Sequence, residues 1–204
     1  IQSAHLFPFL PNFDKQFKVI ETVEMHFRNF NDILYDLEKL FTNPTLKAFR
    51  INFHLNDTNN LQFKSDLKYE CLLEELELRG VSWKFICHLL DKLSFPRLKK
   101  IDFSFKRGVY DLYEVLCKLQ TLSELTSLSI GGGDIKWEFG KKVLFMFKNL
   151  ISFNWAYDDI DEIELDHLML GMPKLQSLYF PTWESNKLLL QQPAINISYL
   201  HLPD

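Results

Sequence analysis

Large apolar residues recur along this chain as Leu-x-x-Leu-x-Leu, with other large apolar side chains standing in for leucine. The triplets are Ile20/Val23/Met25, Leu46/Phe49/Ile51, Leu73/Leu76/Leu78, Leu98/Ile101/Phe103, Leu125/Leu128/Ile130, Leu150/Phe153/Trp155, Leu175/Leu178/Phe180 and Ile197/Leu200/Leu202. Their first positions, 20, 46, 73, 98, 125, 150, 175 and 197, are spaced by 26, 27, 25, 27, 25, 25 and 22 residues. Any single match is cheap in so apolar a chain, but chance matches do not keep a period. The second and third members of each triplet are two residues apart, which places them on one face of an extended strand. Each triplet therefore predicts a short strand with one side turned to the core.

Between the triplets the period changes. Apolar residues at i, i+3, i+4 and i+7 form one stripe of an amphipathic helix, and they read Ile86/Leu89/Leu90/Leu93, Leu112/Val115/Leu116/Leu119, Val143/Met146/Phe147/Leu150 and Leu165/Leu168/Met169/Met172. Ile33/Leu37/Leu40/Phe41 is a looser version. Pro44, Pro96 and Pro173 fall between helix and strand, where a residue that cannot continue a helix is useful. Residues 56–70, "NDTNNLQFKSDLKYE", lack a clear stripe and predict a poor helix or a loop. A unit of about 25 residues cannot bury its own apolar side, whereas stacked units bury each other's. The expectation is a stack of units with parallel strands lining one surface and helices the other.

This pattern resembles the leucine-rich repeat family, from about residue 17 to the end of the chain. The resemblance implies an α/β fold: a leucine-rich-repeat solenoid of about eight irregular repeats, with a curved parallel sheet on the concave face and helices on the convex face. The expected organisation is one domain, 1–204, with residues 1–16 as an N-terminal flank or cap and 17–204 as the repeats. The chain departs from the family pattern. Where the family places Asn or Cys, three positions after the third apolar residue, this sequence has Arg28, His54, Val81, Lys106, Gly133, Asp158 and Trp183. One position earlier stand Phe27, Phe53, Phe105 and Tyr157, which predict four strands that run on with another inward ring. The turns are therefore expected to be held by something other than an asparagine ladder. The Pro-x-Leu-x-x-Leu form and the period are similar to the repeats of F-box-type and other intracellular fungal or plant proteins. "LFPFLPNFDKQF", residues 6–17, is too short and poorly matched to be an F-box.

What the resemblance implies about function is non-enzymatic recognition of a protein partner through the concave face. Its sharper form is the substrate-recognition part of an F-box ubiquitin-ligase adaptor. Alternatives from other classes are a structural segment of a larger assembly and an enzyme whose active residues assemble across repeats. If the leucine positions face inward, the alternating positions face out. They are Thr22, Glu24, His26; Ala48, Arg50, Asn52; Glu75, Glu77, Arg79; Lys100, Asp102, Ser104; Ser127, Ser129, Gly131; Ser152, Asn154, Ala156; Ser177, Tyr179, Pro181; and Tyr199, His201, Pro203. Interface hot spots are enriched in Tyr, Trp and Arg. The candidate partner contacts are accordingly Arg50, Arg79, Tyr179 and Tyr199, together with the neighbouring Glu75, Glu77, Lys100, Asp102 and His201. The plain alternative for any one of them is a solvated side chain on an exposed sheet.

Composition narrows the picture further. With 19 Phe against 7 Gly among 204 residues, flat rings fill part of the interior. A formal net charge of −4 supplies no general pull toward nucleic acid or anionic lipid. Cys71, Cys87 and Cys117 are an odd count without CxxC spacing, which fits reduced thiols in an intracellular protein, cytoplasmic or nuclear. The sequons Asn56-Asp57-Thr58 and Asn196-Ile197-Ser198 read as chance matches. There is no apolar run of membrane-spanning length and no signal peptide. The initial Ile reads as the start of a piece of something longer.

Catalytic and metal chemistry find no pattern. His5, His26, His54, His88, His167 and His201 lack HExxH or paired ligand spacing. "DDIDEIELDH", residues 158–167, lacks the glycine-punctuated spacing of a calcium loop and reads as an acidic helix start. "GGGD", residues 131–134, lacks the Lys-Ser/Thr of a phosphate loop and reads as a strand-to-helix turn. Trp83, Trp137, Trp155 and Trp183 are scattered without a basic stripe, so packing rather than base stacking is expected of them. No cofactor or catalytic residue is expected.

Overall fold

Five of the first-position leucines, Leu46, Leu98, Leu125, Leu150 and Leu175, each close a four-residue turn. In the computed structural model, which describes residues 21–27, 41–53, 68–105, 112–132, 147–156, 171–179 and 199–201, the N–H of Leu46 donates to the carbonyl of Asn43. In the same way Leu98 donates to Phe95, Leu125 to Leu122, Leu150 to Phe147 and Leu175 to Met172, at 3.0–3.5 Å. Pro44, Pro96 and Pro173 occupy the second position of three of these turns, where a φ fixed near −65° already suits the backbone. The prolines thus shape the turn as well as stopping what precedes it. The leucines that end these turns are driven inward: Leu46, Leu98, Leu125, Leu150 and Leu175 are all at most 2% exposed, as is Leu73 at the same position of its unit.

Every predicted triplet leads into a strand. These are β1 (Thr22–Phe27), β2 (Ala48–Phe53), β4 (Glu75–Val81), β6 (Lys100–Phe105), β7 (Ser127–Gly131), β8 (Ser152–Ala156), β9 (Ser177–Tyr179) and β10 (Tyr199–His201). Two short strands lie between them in the chain, β3 (Tyr69–Glu70) and β5 (Leu93–Ser94). The eight form one sheet in the order β1-β2-β4-β6-β7-β8-β9-β10, and every neighbouring pair is parallel. The second triplet positions pair across the whole sheet: Val23, Phe49, Leu76, Ile101, Leu128, Phe153, Leu178 and Leu200 stand side by side. The third positions do the same from Met25 through Ile51, Leu78, Phe103 and Ile130 to Trp155. A sequence spacing of 22–27 residues has become zero offset in register.

A main-chain ladder fixes that register where the strands begin. The carbonyls of Glu21, Lys47, Glu74, Lys99, Thr126 and Ile151 each receive two consecutive N–H groups from the next unit, Lys47 and Ala48 on Glu21 being the first pair, at 2.7–3.0 Å. Hydrogen bonds that enter every unit at the same place leave no backbone group of the strand entry to be satisfied elsewhere.

Parallel neighbours need crossover connections, and two helices are described among them. Helix α1 (Trp83–Lys92) begins at Ser82, whose hydroxyl accepts from the Phe85 N–H at 3.3 Å, and it ends where Leu93 turns to extended backbone and starts β5. Helix α2 is Leu112–Leu119. Their inner stripes agree with the apolar period: Ile86 and Leu89 are buried in α1, as are Val115, Leu116 and Leu119 in α2. Lys118 of α2 forms an ion pair with Asp91 of α1, and lies 3.8 Å from Glu114 one turn away. Of the two later stripes, Phe147, Leu150 and Met172 are buried. Val143, Met146, Leu165, Leu168 and Met169 lie outside the described residues, as does Ile33/Leu37/Leu40.

Three local departures interrupt the regular unit. Strands β1, β2 and β6 run on to Phe27, Phe53 and Phe105 as the sequence suggests, and the ring of Phe105 is buried edge-on to Phe103, 6.3 Å between centroids. Tyr157 falls outside the described residues. One residue longer than β6, β4 absorbs the extra residue in an irregularity at Gly80 (φ 68°), after which Val81 pairs with Phe105. Gly132 (φ 75°) follows β7 so closely against β6 that a Cβ there would lie 2.1 Å from the Phe105 carbonyl oxygen. Within the stretch expected to be a poor helix or loop, β3 instead pairs in parallel with β5, and the Cys71 N–H continues the pairing onto Ser94. Residues 56–67 of that stretch lie outside the described residues.

Candidate functional site

Because strand side chains alternate, the residues between the buried rows stand on the opposite face. Glu24, Arg50, Asn52, Glu75, Glu77, Asp102, Ser104, Ser127, Ser129, Ser152, Asn154, Ser177 and Tyr179 are half-buried, and Arg79 and Lys100 are exposed. Two expected outward positions are corrected: Ala48 is only 7% exposed and Gly131 is buried. Both are small and stand at a strand end, Ala48 first in β2 and Gly131 last in β7. Tyr199 and His201 sit in β10 beside Ser177 and Tyr179. Their side chains, like that of His26, lie outside the described residues, and Ala156, Pro181 and Pro203 do likewise.

Six of the sequence-predicted contact residues form one ion-pair network over β2, β4 and β6. Arg50 reaches Glu75 with Nη2 at 3.5 Å and Glu77 with Nε at 3.3 Å. Arg79 donates from Nε to Glu77 at 2.6 Å and brings Nη2 to 3.7 Å from Asp102. Lys100 Nζ stands 4.0 Å from Glu75. Three cations and three carboxylates thus balance over three neighbouring strands. Register explains the grouping: Arg50 lies beside Glu77, Glu77 beside Asp102, and Glu75 beside Lys100. Residues 25–27 apart in the sequence become lateral neighbours about 5 Å apart.

The face over β7–β9 is different. It is uncharged, with Ser127, Ser152 and Ser177 in one lateral row and Ser129, Asn154 and Tyr179 in the next. Asn154 donates from Nδ2 to the Ser129 hydroxyl at 3.2 Å, while its Oδ1 is buried and accepts no hydrogen bond. The network and Tyr179 therefore occupy different parts of one surface.

A second lateral series escaped the sequence reading. Glu21, Lys47, Glu74 and Lys99 each follow a first-position residue by one, and they alternate in charge from unit to unit. Lys47 binds Glu21 at 2.6 Å and Lys99 binds Glu74 at 2.9 Å. The hydrogen bond that Lys47 donates to Glu21 raises the Lys47 ammonium above its ordinary value, and the one Glu74 accepts from Lys99 holds the Glu74 carboxyl below its own. Aligning the units at their first positions exposes this alternation. Further along, Lys174 donates to Asn149 and Asn149 to the Ser123 carbonyl, which continues the lateral linkage without charge pairs.

Other chemistry is sparse among the described residues. No group of three or more His, Cys, Asp or Glu is arranged to hold a metal ion. Cys71 and Cys87 are buried, and burial pushes both thiols up to about 12, away from the thiolate form that reacts. Cys117 is half-buried. A cleft of about 360 Å³ lies by the end of α1, β5 and the turn after α2, lined by Leu90, Leu93, Phe95 and Leu122 with Asp91 and Lys118. Asp91 and Lys118 already pair with each other, and Lys68 also lines the cleft. No described helix is long and apolar enough to cross a membrane. The chain matches no family model, and searches of curated proteins and of solved structures return no match.

Proposed function

We propose that this chain is a solenoid of the leucine-rich-repeat kind and that the outward face of its sheet recognises another protein. The observation that carries this reading is the zero-offset parallel stack: one strand per unit of about 25 residues, each beside its sequence neighbour. Such a stack buries one face of every strand and leaves the other as an open surface whose chemistry is free to change from unit to unit. That surface carries Arg50, Arg79 and Tyr179, residue types that dominate interface energetics. Arginines already held by carboxylates lose little side-chain freedom when a partner arrives, which favours binding over loose solvation. The role proposed is recognition without catalysis, inside the cell. Its sharper form, the substrate-recognition part of an F-box ubiquitin-ligase adaptor, draws on the Pro-x-Leu-x-x-Leu turns. It requires that the intact protein co-purify with an F-box-binding adaptor.

The test is affinity purification from the source cells, identification of the captured protein by mass spectrometry, and reconstitution of the pair from purified components. The expected result is a complex that forms with the natural chain and is lost with Arg50→Glu/Arg79→Glu, while the melting temperature of the free variant stays near that of the parent. A reconstituted partner that binds equally well after changes across the whole outward face removes the reading.

A further inference from the structure

The β4–β6 seam of the outward face carries a directional charge pattern. Lys100 stands at the strand entry beside Glu75 and Arg79 at the exit beside Ser104, with Glu77 and Asp102 paired side by side between them. The cations are the outer layer: the Arg79 and Lys100 side chains are 53% and 55% exposed, against 43%, 24% and 29% for Glu75, Glu77 and Asp102. Both cations keep donors to spare. The carboxylate nearest Lys100 Nζ is 4.0 Å away, beyond hydrogen-bond range. Arg79 engages Glu77 and Asp102 through Nε and Nη2, which leaves its other terminal nitrogen. On the far side of β6, Ser127 and Ser129 bring no competing charge.

Geometry then selects a complement. Arg79 and Lys100 are four residues apart along the strand direction and one strand apart laterally, which separates their Cα atoms by roughly 14 Å. An extended polypeptide spans about 13 Å in four residues, and its residues i, i+2 and i+4 point the same way. Resting on the protein-recognition reading above, we propose that the β4–β6 seam receives an extended segment of the partner with the pattern acidic-x-basic-x-acidic. Its two carboxylates meet Lys100 and Arg79, and its central cation sits over Glu77 and Asp102. The arrangement disfavours a segment of inverted charge, because like charges would then meet at Arg79 and over Glu77 and Asp102.

The experiment uses three labelled synthetic peptides, each of fifteen residues with identical Gly/Ser flanks. Their centres are Glu-Ser-Lys-Ser-Glu, the inverted Lys-Ser-Glu-Ser-Lys, and Glu-Glu-Lys-Ser-Ser, which has the composition of the first in another order. Binding to the whole chain is read by fluorescence polarisation at low and high salt. The first peptide is expected to bind tightest and to weaken with salt. Its affinity should fall roughly threefold with either Arg79→Ala or Lys100→Ala, the size expected of an exposed ion pair. It should be unchanged by Lys148→Ala, an exposed lysine elsewhere. No detectable binding, equal binding of the three peptides, preference for the inverted one, or indifference to both seam substitutions overturns the proposal. The reconstituted partner separates this failure from that of the broader reading. If the partner tolerates Arg79→Ala and Lys100→Ala but is lost on changes at Ser129 or Tyr179, the seam proposal falls and protein recognition stands. If no outward change weakens it, both fall.

Discussion

Along β2, β4, β6, β7, β8 and β9, the two faces of the sheet obey different rules although their residues are adjacent in the chain. Phe49, Leu76, Ile101, Leu128, Phe153 and Leu178 form the inward row, each at most 1% exposed. The residues immediately following them, Arg50, Glu77, Asp102, Ser129, Asn154 and Tyr179, form the outward row and change from charged to neutral along the sheet. Inward, only the volume and shape of an apolar group vary. Outward, the chemistry varies and the fold does not object. Folding therefore constrains one face and leaves the chemistry of the other free to vary. Within the outward face, the charged part over β2–β6 is already self-paired while the part over β7–β9 offers hydroxyls and an amide.

The sharpest break of this comparison is to empty an inward position. Phe153→Ala should cost about 3–5 kcal/mol in urea unfolding, because a fully buried ring is replaced by a cavity. A loss under about 1 kcal/mol would show that the inward row is not the core. Next comes the strand-exit turn: Gly132→Ala combines a left-handed φ with a Cβ 2.1 Å from the Phe105 carbonyl oxygen, and should cost roughly 2–3 kcal/mol.

Burial of the thiols gives a pH test of the inward side. Cys71 is raised to about 12 from 9.0 by burial, so the folded chain keeps its proton where the unfolded chain has lost it. The associated stability is fully present below pH 9 and declines as the pH rises from there toward about 12. Cys71→Ala should flatten part of that decline in melting curves taken across the window. In the native protein at neutral pH, iodoacetamide should modify half-buried Cys117 ahead of Cys71 and Cys87, and peptide mapping reads the order.

Outward substitutions should do little to folding. Asn154→Ala removes a buried acceptor that accepts no hydrogen bond along with one modest bond to Ser129, so stability should be unchanged or improved by up to about 1 kcal/mol. Arg79→Ala, the smallest effect expected, should stay within about 0.5 kcal/mol in the same urea assay, since its side chain and its ion pairs are solvent-exposed. A large loss at Arg79 would mean that the outward network supports the fold and that the two faces are not separable.

Much of this arrangement was legible in the triplets. All eight coincide with strands, and among the residues whose burial is described the predicted inward and outward assignments agree with it except at Ala48 and Gly131. The six charged contact candidates do share one network, but the sequence shows only that they lie on one face. The Glu21/Lys47/Glu74/Lys99 series was written one position after each first-position residue and needed the units to be aligned on each other to be seen. The β3–β5 pairing carries no such signal, because two-residue strands are made by what lies beside them rather than by their own pattern.

By itself the sequence determined the period, the strands, the face each strand buries and the turns that deliver each first-position leucine inward. These follow from local rules: side chains alternate along a strand, and proline fixes its own φ. Tertiary structure alone decided which carboxylate Arg50 and Arg79 would meet, the irregularity at Gly80, and the tight passage of Gly132 past Phe105. Each of those depends on the lateral distance between units and on the lengths of neighbouring strands, quantities that exist only once the units stand side by side.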